Sequence, residues 1–241
     1  MQGPPRVIVC VDTSDASAAA LNWAVREAKR RGSNLQIEAA PPTHAFLDGT
    51  TAADVVVTGG YRTGASSAVF LGSVARHLAR DAVCPLVIVP EVAVAPVLER
   101  IVVGVDGSPA SEIALRWAVQ EAATWRAHLV VAHAWDYPYR EVGTAAVKRD
   151  AEQLLATVGD AARQGCEVAT VEELLVHGSA ANGLIEASVD ADLLVVGTRG
   201  RGPVRSLLLG STSNYVMQHA RCPVAIIHAV AATSFEAIDG D

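Results

Sequence analysis

Residues 11–28 read VDTSDASAAALNWAVREA, and residues 105–122 read VDGSPASEIALRWAVQEA. Twelve of these eighteen aligned positions are identical, at an offset of 94. A second matching pair, LGSVARHLARDAVCPLVIV from Leu71 and LGSTSNYVMQHARCPVAII from Leu209, stands at an offset of 138. Two offsets in one chain mean a tandem duplication whose first copy is shorter in its middle by the difference, 44 residues.

The second copy shows the full unit. Ile101–Val105, apolar and β-branched, predicts a buried strand. Ser108 predicts the cap of a helix opening at Pro109, with Glu112 in its first turn and Ala114, Leu115, Ala118 and Ala122 facing the sheet. Strands are predicted at Leu129–His133, Val171–Val176, Asp192–Val196 and Pro223–Ile227, and helices at Thr144–Ala162, Ala181–Ser188 and Ser211–Ala220. Strands alternating with helices imply a parallel sheet covered on both faces. The first copy supplies strands at Val7–Val11, Leu35–Ala39, Asp54–Thr58 and Pro85–Val89, with Thr43–Thr51 matching the short helix. Its missing piece is the long helix and the third strand. Glu91–Leu98, carrying Pro96, reads as a linker. The expectation is an α/β chain of two tandem open parallel-sheet domains, 1–94 truncated and 95–241 complete.

Open parallel sheets bind ligands at the carboxyl ends of their strands, where strand order reverses. From Val196 the second copy reads VGTRGRGPVRSLLLGSTSNYV. Gly197, Gly200 and Gly210 let the backbone approach a ligand closely. Gly210 and Ser211 open the last helix, whose unpaired amides and dipole favour an anion. Ser211, Thr212 and Ser213 add hydroxyls, and Arg199, Arg201 and Arg205 add positive charge. Turn and cap chemistry alone also produces such a loop. Its place after a central strand, opposite Asp106, favours a phosphate site with a carboxylate for a ribose or base edge.

These residues resemble the universal stress protein family, in the VDGS strand end, the ADLLVVGTRGRG strand and loop, the LGSTS helix start and the CPVAII final strand. The resemblance covers nearly the whole second copy and the two ends of the first. It implies a Rossmann-like, adenine nucleotide alpha hydrolase-like fold that binds ATP or another adenine nucleotide, with or without Mg2+. By position it implies that Gly104, Val105 and Asp106 meet adenine and ribose, and that Ala134 offers backbone groups to the base. Gly197, Gly200 and Arg201 would line ribose and phosphates, and Gly210, Ser211, Thr212 and Ser213 would hold the phosphates. It also implies pairing through the final strands, either between the halves as an intrachain pseudo-dimer or between chains as a homodimer. The first copy departs from the pattern, with Arg62 where the second has Gly200, and is expected to bind nucleotide weakly or not at all.

The function expected is an ATP-binding regulatory protein of the stress response. The rival is a slow ATP hydrolase or a phosphoryl- or adenylyl-transfer enzyme. Against it stand the absence of a G-x4-G-K-[ST] loop, of a lysine near the glycines and of a paired base. A dinucleotide oxidoreductase needs G-x-G-x-x-G, whereas the order here is G-x-x-G-x-G. With a net charge of −7 and no Lys or Arg run, no nucleic-acid partner is expected. No apolar run approaches the roughly 20 residues of a membrane span. Cys10, Cys84, Cys166 and Cys222 lack CxxC spacing and read as buried thiols of a cytoplasmic protein, and no signal peptide is visible. If the final strands pair, Cys84 and Cys222 could approach one another, but burial without chemistry is the favoured reading. Trp23 and Trp117 read as packing residues, and His133 and His177 as structural. Tyr137, Tyr139 and Arg140 read equally as a lid on the crevice or as a variable surface loop.

Overall fold

A computed structural model describes residues 4–39, 49–51, 54–62, 69–70, 72–91, 97–136, 144–165, 170–198 and 209–228. In the first half these form β1 (Arg6–Cys10), α1 (Asp15–Arg31), β2 (Asn34–Glu38), β3 (Val55–Arg62), β4 (Val69–Phe70), α2 (Ser73–Asp81) and β5 (Leu86–Pro90). The second half follows with β6 (Arg100–Gly104), α3 (Pro109–Trp125), β7 (His128–Trp135), α4 (Thr144–Gly165) and β8 (Val171–His177). It closes with α5 (Ala180–Ala187), β9 (Leu193–Gly197), α6 (Ser211–His219) and β10 (Val224–Ile227). The fold is α/β, as the alternation of strand and helix patterns requires. The expected short helix at Thr43–Thr51 lies mostly outside the described residues, as do Cys166, Tyr137, Tyr139 and Arg140.

The strands join in one sheet of order β2-β1-β3-β5-β10-β9-β6-β7-β8. Within each half the strands on this path are parallel, while β5 and β10 pair antiparallel, with Val224 opposite Ile88 and Ile226 opposite Leu86. Every residue of that joint is buried. A continuous apolar strand with both neighbours in place loses its edge, which would otherwise recruit another chain. A homodimer through the final strands is thereby corrected: β5 lies between β3 and β10, and β10 between β5 and β9, so neither keeps an edge.

Apolar side chains fill both faces of the sheet. Trp23 and Trp117 are buried in the cluster under α1 and α3, which makes them packing residues. Cys10, Cys84 and Cys222 are buried free thiols, and burial pushes each up to about 12, so none is a nucleophile at neutral pH.

One strand was not foreseen. β3 runs on through Gly59, Gly60 and Tyr61 to Arg62, and its end turns back to pair antiparallel with β4, Tyr61 opposite Phe70. The sequence pattern ends this strand at Thr58, before the two glycines, yet extended backbone suits glycine equally well.

The duplication reaches into the helix caps. Ser14 and Ser108 cap α1 and α3, accepting from the amides of Ser17 and Ser111. At their carboxyl ends Gly32 and Arg126, 94 residues apart, both adopt the left-handed conformation, φ 64° and 58°. That conformation costs a side-chain-bearing residue roughly 1–2 kcal/mol, partly offset by glycine's larger entropy loss. Arg126→Gly is therefore expected to raise stability by about 0.5–1 kcal/mol in denaturant unfolding, and Gly32→Ala to lower it by about 1 kcal/mol.

Candidate functional site

The second half reverses strand order between β9 and β6, since the chain proceeds from β6 to β7 and β8 on one side and places β9 and β10 on the other. Gly104 closes β6 and Gly197 closes β9, so the two glycines flank the crevice that such a reversal opens. Val105 and Asp106 follow directly, Ala134 stands near the end of β7, and Gly210 to Ser213 begin α6. Thus Gly104, Val105, Asp106, Ala134, Gly197, Gly210, Ser211, Thr212 and Ser213 share the carboxyl end of this half of the sheet. Gly200 and Arg201 lie outside the described residues, as do Arg199 and Arg205.

The rim is tied together by hydrogen bonds. The Gly210 amide donates to the Thr198 carbonyl at 2.7 Å, closing the loop that leaves β9 back on its own base. The Ser213 hydroxyl, buried, donates to the Gly197 carbonyl at 2.6 Å. That hydroxyl was expected to hold phosphate; its proton is committed to the strand end, so it positions the start of α6 against β9. Ser211 is exposed and Thr212 half-buried.

Asp106 accepts from the Ser108 amide at 3.0 Å, an Asx turn that shapes the lip before α3. Gly107 takes φ 72° within it, a conformation that favours glycine. The first half builds the same turn from Asp12 and Ser14, with the acceptor at 2.9 Å from the Ser14 amide. The Ser14 hydroxyl and amide hold the Asp12 carboxyl below the usual carboxylate range. Its middle residue is Thr13 in place of Gly107.

Sequence reasoning singled out Asp106 here and not the backbone role of Gly107. It also treated His133 only as structural. The His133 ring nitrogen Nδ1 lies 2.8 Å from the Val105 carbonyl, while the Val105 amide donates to Ala132 at 2.9 Å. Both backbone groups of Val105 are thus engaged, and its side chain is buried in the core, which fixes the strand end that leads into Asp106. His177 packs its ring on Trp135, with centroids 4.7 Å apart. A cavity of about 560 Å³ opens beside Ala134 between the end of β7 and α4, bordered by His133, Trp135, Asp136 and Asp150.

Helix α6 is distinguished at its amino end. Ser14, Ser108 and Ser179 cap α1, α3 and α5 with their hydroxyls, whereas Gly210 leaves α6 without a side-chain cap. An uncapped first turn presents amides and the positive end of the helix dipole. Helix α2, behind Gly72, is uncapped too. There, however, the stretch that matches Gly197 to Gly200 is the end of β3, with Arg62 at the position of Gly200.

The glycines at the strand ends have packing reasons of their own. A Cβ on Gly197 would stand 2.7 Å from the Ala110 carbonyl oxygen, and one on Gly59 2.6 Å from that of Ala16, so both strands need glycine where α3 and α1 begin. A Cβ on Gly104 would meet the Leu184 side chain at 2.7 Å, which can rotate away. Gly197→Ala should accordingly lower stability by about 2–3 kcal/mol and Gly104→Ala by about 1 kcal/mol, as read by urea unfolding. Equal costs would contradict this packing.

Among the described residues no helix is long and apolar enough to cross a membrane. The model of the universal stress protein family matches residues 98–228. Two universal stress proteins of Mycobacterium tuberculosis are similar to this chain. One is 35% identical over 196 residues, 77% of this chain and 65% of that protein, and the other 37% identical over 199 residues, 78% and 65%. The chain thus spans about 65% of the length of these curated relatives. A universal stress protein structure from Archaeoglobus fulgidus superposes with a TM-score of 0.66 at 17% identity, over 93% of this chain and 98% of that one. At that identity the likeness concerns the fold.

Proposed function

This chain belongs to the universal stress protein family, and from that premise we propose that its second half is a regulatory module that binds ATP or a related adenine nucleotide. The observation that carries the reading is the uncapped start of α6, held by the Gly210–Thr198 and Ser213–Gly197 hydrogen bonds at the mouth of the β6–β9 crevice. In a family member with G-x2-G-x9-G-[ST] at this place, the anion that such a helix end suits is a polyphosphate.

The first-turn amides of α6 and the hydroxyls of Ser211 and Thr212 would hold the phosphates, together with Gly200 and Arg201 of the preceding loop. Asp106 would accept from the ribose, and the backbone at Ala134 would read the base edge. Gly104 and Gly197 end the two strands that flank the crevice. Among the described residues no three His, Cys, Asp or Glu side chains gather to hold a metal ion, so Mg2+ would enter on the nucleotide. Arg62 stands in the first half where the second has Gly200, which supports one site per chain. Nucleotide occupancy would then act as the regulatory signal in a stress response.

Calorimetric titration with ATP tests this reading. One nucleotide per chain is expected, with affinity lowered about tenfold by Ser211→Ala combined with Thr212→Ala, the loss of roughly one charge-assisted hydrogen bond. Asp106→Ala should weaken ATP without weakening inorganic triphosphate. Two nucleotides per chain, or none at millimolar concentration, would refute it.

A further inference from the structure

On one face of the sheet, α1 of the first half and α3 of the second touch each other at the joint between the halves. Glu27 and Glu121 are equivalent residues of the two copies, 94 positions apart, and both are buried, 0% and 2% exposed. A single guanidinium serves both. Arg31 pairs through Nε with Glu27 and through Nη2 with Glu121. The second oxygen of Glu27 accepts from the Trp125 indole at 3.1 Å, while Oε2 of Glu121 is buried with no hydrogen-bond partner among the described residues.

The duplicated position answering to Arg31 is Trp125, and that answering to Arg30 is Thr124. Arg30 also reaches across, donating to the Thr124 carbonyl at 2.7 Å and lying over the Trp125 ring at 5.7 Å. The joint therefore looks two-fold in its backbone but is one-sided in charge. The first half brings the cations, and both halves bring a carboxylate.

We infer that Arg31 makes this joint selective, barring the second half from pairing with another second half. Two second halves in this arrangement would bury Glu121 against Glu121 with tryptophan at both cation positions. Each Glu121 would then have an indole N–H at most and no cation, facing a second carboxylate. Burying charge in that way is strongly destabilising, and such a repulsive element rejects the wrong partner. The first half is then the obligatory companion of the second, whatever ligand either binds.

A charge-swap series in the full chain tests this. Arg31→Trp copies the second half's residue into the first and should lower the folded-to-unfolded ratio about 100-fold or more in denaturant unfolding. Adding Trp125→Arg returns the cation from the opposite helix, and the double variant should recover to within about tenfold of the parent. A loss of packing alone would not be repaired by moving the charge across the joint. Should Arg31→Trp yield no folded protein, the double variant decides: folded and monomeric by light scattering, it supports the inference. Arg31→Trp as stable as the parent, or a double variant as unstable as Arg31→Trp, overturns it.

Discussion

The antiparallel pairing of β5 with β10 is the constraint on which the rest of the molecule depends. Each half alone would end its sheet on an apolar, fully buried-type strand with one side unpaired, an arrangement that invites aggregation. Placing the two final strands together satisfies both backbones and lets apolar clusters on each face run across the joint. Because the pairing is antiparallel and each half is built on parallel strands, the carboxyl ends of the two halves face opposite ends of the sheet. The strand ends of the two halves are therefore separate places.

That separation lets one half specialise. The second half keeps Gly197, Gly200 and Gly210 in the sequence that follows its reversal strand, where the first has Arg62 in place of Gly200. In the first, β3 runs on to Arg62 and pairs with β4, and the sequence between the matching ends is 44 residues shorter. What the first half retains is the joint: β5, the buried α1 face, and the arginines that reach toward α3. Two buried glutamates on a near-symmetric joint would be a liability, and a single asymmetric arginine converts them into a specific contact.

Much of the fold was legible in the sequence because its signals are local. The offsets of 94 and 138, the β-branched runs and the Ser caps place most elements within a few residues of their observed ends. The β3–β4 hairpin was hidden because Gly59 and Gly60 carry the composition of a turn, and only the pairing with Val69–Phe70 makes them strand. The candidate site was legible as a set of positions and less so as roles. Ser213 looked like a third phosphate hydroxyl, but its acceptor is a carbonyl 16 residues earlier. Gly197 carried the signal of a ligand loop, while the contact that demands it comes from Ala110 in another element. Likewise the restraint of Val105 by His133 and the sharing of Arg31 between two carboxylates are contacts across the sheet, which spacing along the chain does not reveal.

The central claim is that a nucleotide engages one end of this sheet and leaves the other alone. Amide hydrogen exchange of the intact chain with and without saturating ATP reads this directly. The account predicts slowed exchange in 209–214 and 104–108, with the stretch 72–76 at the start of α2 unchanged. Protection at 72–76 equal to that at 209–214, or no change at the start of α6, would contradict it.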